Sequence, residues 1–127
     1  MEVINVIVAA AAAYGFGAVW YMIHAKPWMA GAGVTEEQVK EGSKTPYIIS
    51  FIMLLVVAGM MRHIFTLGGI DTLGKSLMSG LGLGLFIVAP WIVTNYAYSM
   101  RPGQLTLFDC GYAVGGCTVI GIVLTLF

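Results

Sequence analysis

The chain has 127 residues, 59 % of them hydrophobic and only 9 % charged, with six acids balancing six bases. Glycine brings the apolar share to roughly 72 %, where soluble domains hold about 45–50 % on the same count. Too few ionisable groups remain to clothe a surface in water, and no net charge draws the chain to nucleic acid. A soluble enzyme, a nucleic-acid binder and a disordered chain are thereby excluded.

Charged residues divide the rest into four uncharged stretches, residues 3–23, 45–61, 76–100 and 110–127. Each fits the about 17–25 residues that a helix needs to cross the hydrocarbon core. A barrel would alternate apolar and polar residues, and a run such as Ile48-Ile49-Ser50-Phe51-Ile52-Met53-Leu54 does not. The expected fold is therefore all-α, one integral membrane domain over residues 1–127. Its four transmembrane helices span about 3–24, 46–67, 75–100 and 107–126, arranged up-down-up-down.

The first stretch lacks a basic leader and its apolar run exceeds that of a signal peptide, so it is expected to be retained. Ala9, Ala13 and Gly17 make a line of small residues along it, and Trp20, Tyr21 and His24 mark its exit. In the long first loop, Thr35-Glu36-Glu37-Gln38 has capping-box spacing and Gly42 is a stop, which predicts a short interfacial helix within 34–42. Thr45 and Pro46 then supply an N-cap and a first helical proline for the second span. That span is expected to run past Arg62 to about Leu67, with the guanidinium snorkelling and the aliphatic side chains facing lipid. Gly68-Gly69 breaks the chain before the third span.

Ser76, Gly80 and Gly84 line one side of the third helix. Pro90 is expected to free a carbonyl near Phe86, bend this helix and open room for a small pocket. Pro102-Gly103 reads as the next break, and the Thr106–Asp109 spacing predicts a fourth helix starting near Leu107. On that helix Gly111 and Gly115 form one small-residue seam, and Ala113, Cys117, Gly121 and Thr125 another. Helices in lipid associate through such seams, so Ser76, Gly80, Gly84, Gly111, Gly115, Ala113, Cys117 and Gly121 are candidates for packing or a subunit contact. If Ser76-Gly80-Gly84 pairs with Gly111-Gly115, the Ala113 line stays free for another molecule.

An even number of spans leaves both termini on one side. Lys26, Lys40, Lys44 and Arg101 then share one face, against Arg62 and Lys75 on the other. The positive-inside rule makes the four-base face cytoplasmic and the termini external.

Asp109 is the one acid near a span. In the first turn of a helix starting at Leu107, its carboxylate would cap free amides and favour the helix dipole. A proton-relay or ligand role is the alternative. Asn95, Arg101 and His24 fall on the same face, which makes Asp109, Asn95, Arg101 and His24 the candidate polar cluster. Trp20, Tyr21, Trp28, Tyr96 and Tyr98 fit an aromatic belt. His24 and His63 end on opposite faces and cannot ligate one haem within a chain. Cys110 and Cys117 are seven residues apart on one helix, which forbids a disulfide between them. No metal-ligand spacing, dinucleotide fingerprint or nucleophile paired with a base appears, so neither a cofactor nor an enzymatic activity is expected.

Several stretches are similar to a bacterial membrane family catalogued as domain of unknown function 1761. They are Gly17-Ala18-Val19-Trp20-Tyr21, Lys26-Pro27-Trp28-Met29 and Thr35-Glu36-Glu37, then 90–95, Arg101-Pro102-Gly103 and Asp109-Cys110-Gly111-Tyr112. The resemblance spans nearly the whole chain. It implies a compact four-helix protein of the bacterial cytoplasmic membrane and carries no activity with it. The expected function is helix–helix association, as a homo-oligomer or an accessory subunit, with lipids and other membrane proteins as partners. The alternative is a small-solute or proton-coupled transporter using Asp109, Asn95 and Arg101.

Overall fold

The computed structural model describes residues 2–126, all but the turns in helices α1 (Glu2–Ile23), α2 (Ala25–Ala32), α3 (Glu36–Glu41), α4 (Thr45–Gly68), α5 (Leu73–Leu83), α6 (Ala89–Tyr98) and α7 (Gly103–Leu126). A π-helical turn, Gly84–Val88, joins α5 to α6. There is no strand among the described residues. Val3–Ile23, Thr45–Gly68, Leu73–Tyr98 and Gly103–Leu126 are long and apolar enough to cross a membrane, which makes this a multi-pass membrane protein.

Local signals explain most of the boundaries. Both halves of the capping box form at α3: Gln38 N–H donates to Thr35 Oγ1 (3.1 Å), and Thr35 N–H donates to Gln38 Oε1 (2.9 Å). Gly33 and Gly69 end α2 and α4 in the left-handed conformation that glycine adopts without steric cost. In the third span Pro90 has no N–H for the ladder, and the turn before it widens so that Ala89 N–H reaches back to Gly84 O.

Three boundaries differ from the sequence expectation. Helix α2 was not anticipated, because its eight residues include Pro27 and Gly31. Proline is tolerated there because it sits in the first turn, where its N–H would have no partner. Helix α4 starts at Thr45, not after it; Ser43 Oγ accepts Thr45 N–H (3.0 Å) in place of the expected Thr45 cap. Helix α7 starts at Gly103, four residues early, because Pro102 O accepts from the N–H groups of Leu105 (3.1 Å) and Thr106 (3.3 Å). The Pro102-Gly103 pair opens this helix and does not only break the chain before it. Met100, with φ of 54°, makes the reversal before it.

Helix α7 is the central mast. It packs against α1 on one side and against α5, the π-turn and α6 on another. It runs antiparallel to α1, since Asn5 reaches Leu124 while Trp20 reaches Phe108. It also runs antiparallel to the third span, since Ser76 meets Thr125 and Tyr96 meets Asp109. Helix α4 lies along α1 and touches α7 only slightly. Ala9, Ala10 and Ala13 of α1, Ala58, Met61 and Phe65 of α4, and Cys117, Ile120 and Leu124 of α7 form the core. Arg62 does not simply snorkel: its Nη1 donates to Leu124 O (3.1 Å), a carbonyl in the last turn of α7, beside the amide of Asn5.

The small-residue seams pair differently from the expected scheme. A Cβ added at Gly80 would lie 2.6 Å from Cys117 O, one at Gly84 2.7 Å from Val114 Cα, and one at Gly121 2.7 Å from Ser76 O. Ser76-Gly80-Gly84 therefore interlocks with the Ala113–Thr125 line, closed by a hydroxyl pair between Ser76 and Thr125 at 2.7 Å. Gly111 and Gly115 face α1 instead and receive the rings of Trp20 and Phe16. The Ala113 line is consequently not free for another molecule. Rings need the deeper notch of the Gly111–Gly115 side, whereas backbone seats on backbone along the other.

The obstructing atoms at Gly80 and Gly121 are main-chain atoms that no rotamer can move. Gly80→Ala and Gly121→Ala are expected to destabilise the protein by about 1–3 kcal/mol. Gly59→Ala and Gly82→Ala, with open space at the new Cβ, are expected to leave it unchanged or firmer by up to about 1 kcal/mol. Unfolding of each variant in mild detergent, followed by circular dichroism, checks the contrast.

Candidate functional site

Asp109 is the seventh residue of α7, nearly two turns inside the helix. The amides around it are already bonded within the helix, so the expected capping role fails. Its carboxylate is held by side chains from three other elements. Oδ1 accepts Tyr21 OH from the end of α1 (2.5 Å) and Trp28 Nε1–H from α2 (3.1 Å). Oδ2 accepts Tyr96 OH from α6 (2.5 Å). All three partners are neutral donors, which suits an ionised carboxylate, and each such bond is worth more than one between neutral groups.

The other members of the expected cluster fall elsewhere. His24 Nδ1 lies 2.8 Å from Trp20 O, with its ring between those of Trp20 and Phe108 at 4.4 and 4.9 Å. Arg101 comes near only through Tyr96, its guanidinium carbon 6.0 Å from that ring's centroid. Asn95 is exposed. It is one residue from Tyr96, about 100° around the helix, so the turn that aims the phenol at Asp109 aims the amide away. Asp109 thus shares no hydrogen bond with Asn95, Arg101 or His24. Its partners are Tyr21, Trp28 and Tyr96, three rings that the sequence pattern places in the aromatic belt. The available signal was that each ring carries a polar hydrogen and sits at the end of the protein where Asp109 lies.

Trp20 Nε1–H adds a further link, donating to Phe108 O (3.0 Å). Cys110 and Cys117 are free thiols, the latter buried against Gly84. No group of three or more His, Cys, Asp or Glu side chains comes together among the described residues.

Beside this junction a cleft of about 670 Å³ opens between α1, α2, the α3 loop and the first turns of α4, with Tyr112 of α7 behind it. Its walls include Tyr14, Tyr21, Trp28, Tyr47 and Tyr112, with Ser50 among them. Gly17 gives room for a wall of the cleft: the Tyr112 ring occupies the place where a Cβ would stand. The rings brace one another edge to face, Tyr21 on Tyr112 at 5.2 Å and on Trp28 at 5.7 Å. Two of these walls, Tyr21 and Trp28, are also the residues that hold Asp109, so the carboxylate lies directly behind the cleft. The pocket expected at the Pro90 bend is not the one found: this cleft lies on the α1–α4 side, where small residues and not the π-turn create the gap.

With this geometry in view, the chain matches a family model described as protein of unknown function (DUF1761) over residues 4–125. It belongs to that family. No curated protein and no solved structure matches it.

If the three donors act together on one carboxylate, their effects are coupled. Tyr21→Phe and Tyr96→Phe are each expected to cost about 1.5–3 kcal/mol in the parent and clearly less in an Asp109→Asn background. Unfolding midpoints for the double-mutant cycle measure this, and additive costs would contradict a shared junction.

Proposed function

We propose that this protein is a non-enzymatic membrane component that holds one amphipathic molecule from the bilayer in the lateral cleft. The observation carrying this reading is the cleft itself. It lies between two spans, within the about 300–1,000 Å³ usual for ligand sites, and apolar and aromatic side chains wall most of it, with Gln38, Ser43 and Ser50 as neutral polar groups. Its lining offers no His, Cys, Asp, Glu, Lys or Arg, so a nucleophile with a base beside it is missing from the place where a substrate would sit. That favours holding over conversion.

The proposed setting is a bacterial cytoplasmic membrane with both termini outside. The family resemblance and the four-to-two division of basic residues support it. A role beside another membrane protein is the second reading, and helix α4 favours it. Lying along α1 alone for most of its length, α4 leaves Ile48, Ile52, Val56 and Met60 uncovered. Association through the glycine seams loses its support because those surfaces are closed within the chain. Transport through Asp109, Asn95 and Arg101 gains none, since the three do not share a network.

Protein purified in mild detergent is expected to carry a small molecule near one per chain, read by native mass spectrometry. Ala18→Trp, which fills the cleft from an exposed position of α1, should remove it without loss of helicity. Equal occupancy in both folded proteins would overturn the reading.

A further inference from the structure

We propose that the cleft selects an organic cation, a quaternary ammonium head on an apolar body; this deepens, and rests on, the cleft reading above. Four features of the site converge on that chemistry. Tyr14, Tyr21, Trp28, Tyr47 and Tyr112 make five aromatic walls around one space, and aromatic faces carry the negative side of the ring quadrupole. Tyr21 and Trp28 donate their polar hydrogens to the Asp109 carboxylate, which shifts electron density onto their rings and strengthens the attraction.

The second feature is charge. No cationic side chain lines the cleft, and the one formal charge bonded to its walls is the anion of Asp109. The neighbouring loop carries Lys26, Lys40 and Lys44 against Glu36, Glu37 and Glu41. These balance in sign and stand in solvent, with Lys40 paired to Glu36 at 3.3 Å. Their field is screened, while the field of Asp109 acts through a wall of low polarisability.

The third feature excludes an anionic head. Tyr21 OH and Trp28 Nε1–H are committed to Asp109, and the donors that remain in the wall, the hydroxyls of Tyr14, Tyr47, Tyr112, Ser43 and Ser50 and the Gln38 amide, carry no charge to offset an anion beside that carboxylate. The fourth separates a quaternary from a primary ammonium. Asp109 already accepts three hydrogen bonds from behind the wall, so an N–H-bearing head finds no carboxylate in the lining to pair with and only neutral hydroxyl and amide oxygens. A head without N–H needs only the ring faces. Ala18, Met29, Val34, Val39 and Pro46 then cover its apolar body.

The test uses the full chain in nanodiscs of an uncharged galactolipid, titrated with hexyltrimethylammonium, hexanol and hexanesulfonate by calorimetry. Saturable binding of the cation alone is expected. Tyr112→Leu should weaken it about tenfold, Tyr112→Phe should retain it, and Asp109→Asn should weaken it by a similar factor with helicity kept. Displacement of the cation by added phosphatidylcholine identifies a choline lipid headgroup as the source. Unaffected binding identifies a free cation, and either result supports the inference. Equal affinity for hexanol and the cation, both lost in Ala18→Trp, leaves the cleft reading intact and overturns the cationic one. Binding of no probe, or binding indifferent to Ala18→Trp, overturns both.

Discussion

A carboxylate drawn into the end of an apolar bundle must find its hydrogen bonds inside the protein, and the fold near Asp109 is organised around that requirement. Leaving such a charge without partners costs several kcal/mol. Tyr21, Trp28 and Tyr96 meet the need from three separate elements, so one side chain ties the exit of the first span, the α2 segment and the end of the third span to α7. Helix α2 is short and has no buried residue, and it gains its place from the Trp28 bond and from Gly31 lying against Leu105. The same bonds hold two walls of the cleft at fixed angles. Structure and binding surface are therefore one construction at this end of the molecule.

The opposite end solves the same problem with other groups. Carbonyls in the last turn of a helix have no partner within it, and those of Val123 and Leu124 receive the Asn5 amide and the Arg62 guanidinium. Ser76 and Thr125 bond their hydroxyls to one another close by. Between these polar ends α7 is held by shape. Its two glycine-bearing sides are not interchangeable, because one admits the backbone of the third span and the other admits rings from α1. Dispersion over that close approach replaces the hydrophobic drive that lipid does not supply.

Much of this was legible in the chain. The four spans follow from where charges are absent, since lipid excludes charge and a helix needs a known length to cross it. Thr35 and Gln38 announce α3 because a capping box is a local device, complete within four residues. The small residues at 76, 80, 84 and 121 announce close packing because nothing else in a membrane helix calls for them at that spacing. The polar site was legible only in its centre. Asp109 stood out as the acid drawn toward a span, but nothing in the one-dimensional pattern distinguishes Tyr21 and Trp28 as its donors from rings that merely anchor at the interface.

What the sequence alone determined is thus whatever depends on the solvent and on neighbours along the chain: membrane residence, the number of spans, the start of the interfacial helix and the surfaces meant for close approach. Tertiary structure alone decided which surfaces meet. The Ala113 line went to the third span and the Gly111 line to α1, the Pro102-Gly103 pair began a helix, and the cleft opened beside Gly17 and not beside Pro90. Each of those outcomes depends on the rotational phase of one helix against another. A residue's place along the chain sets its angle on its own helix, while the partner it faces is set by how all four spans pack at once.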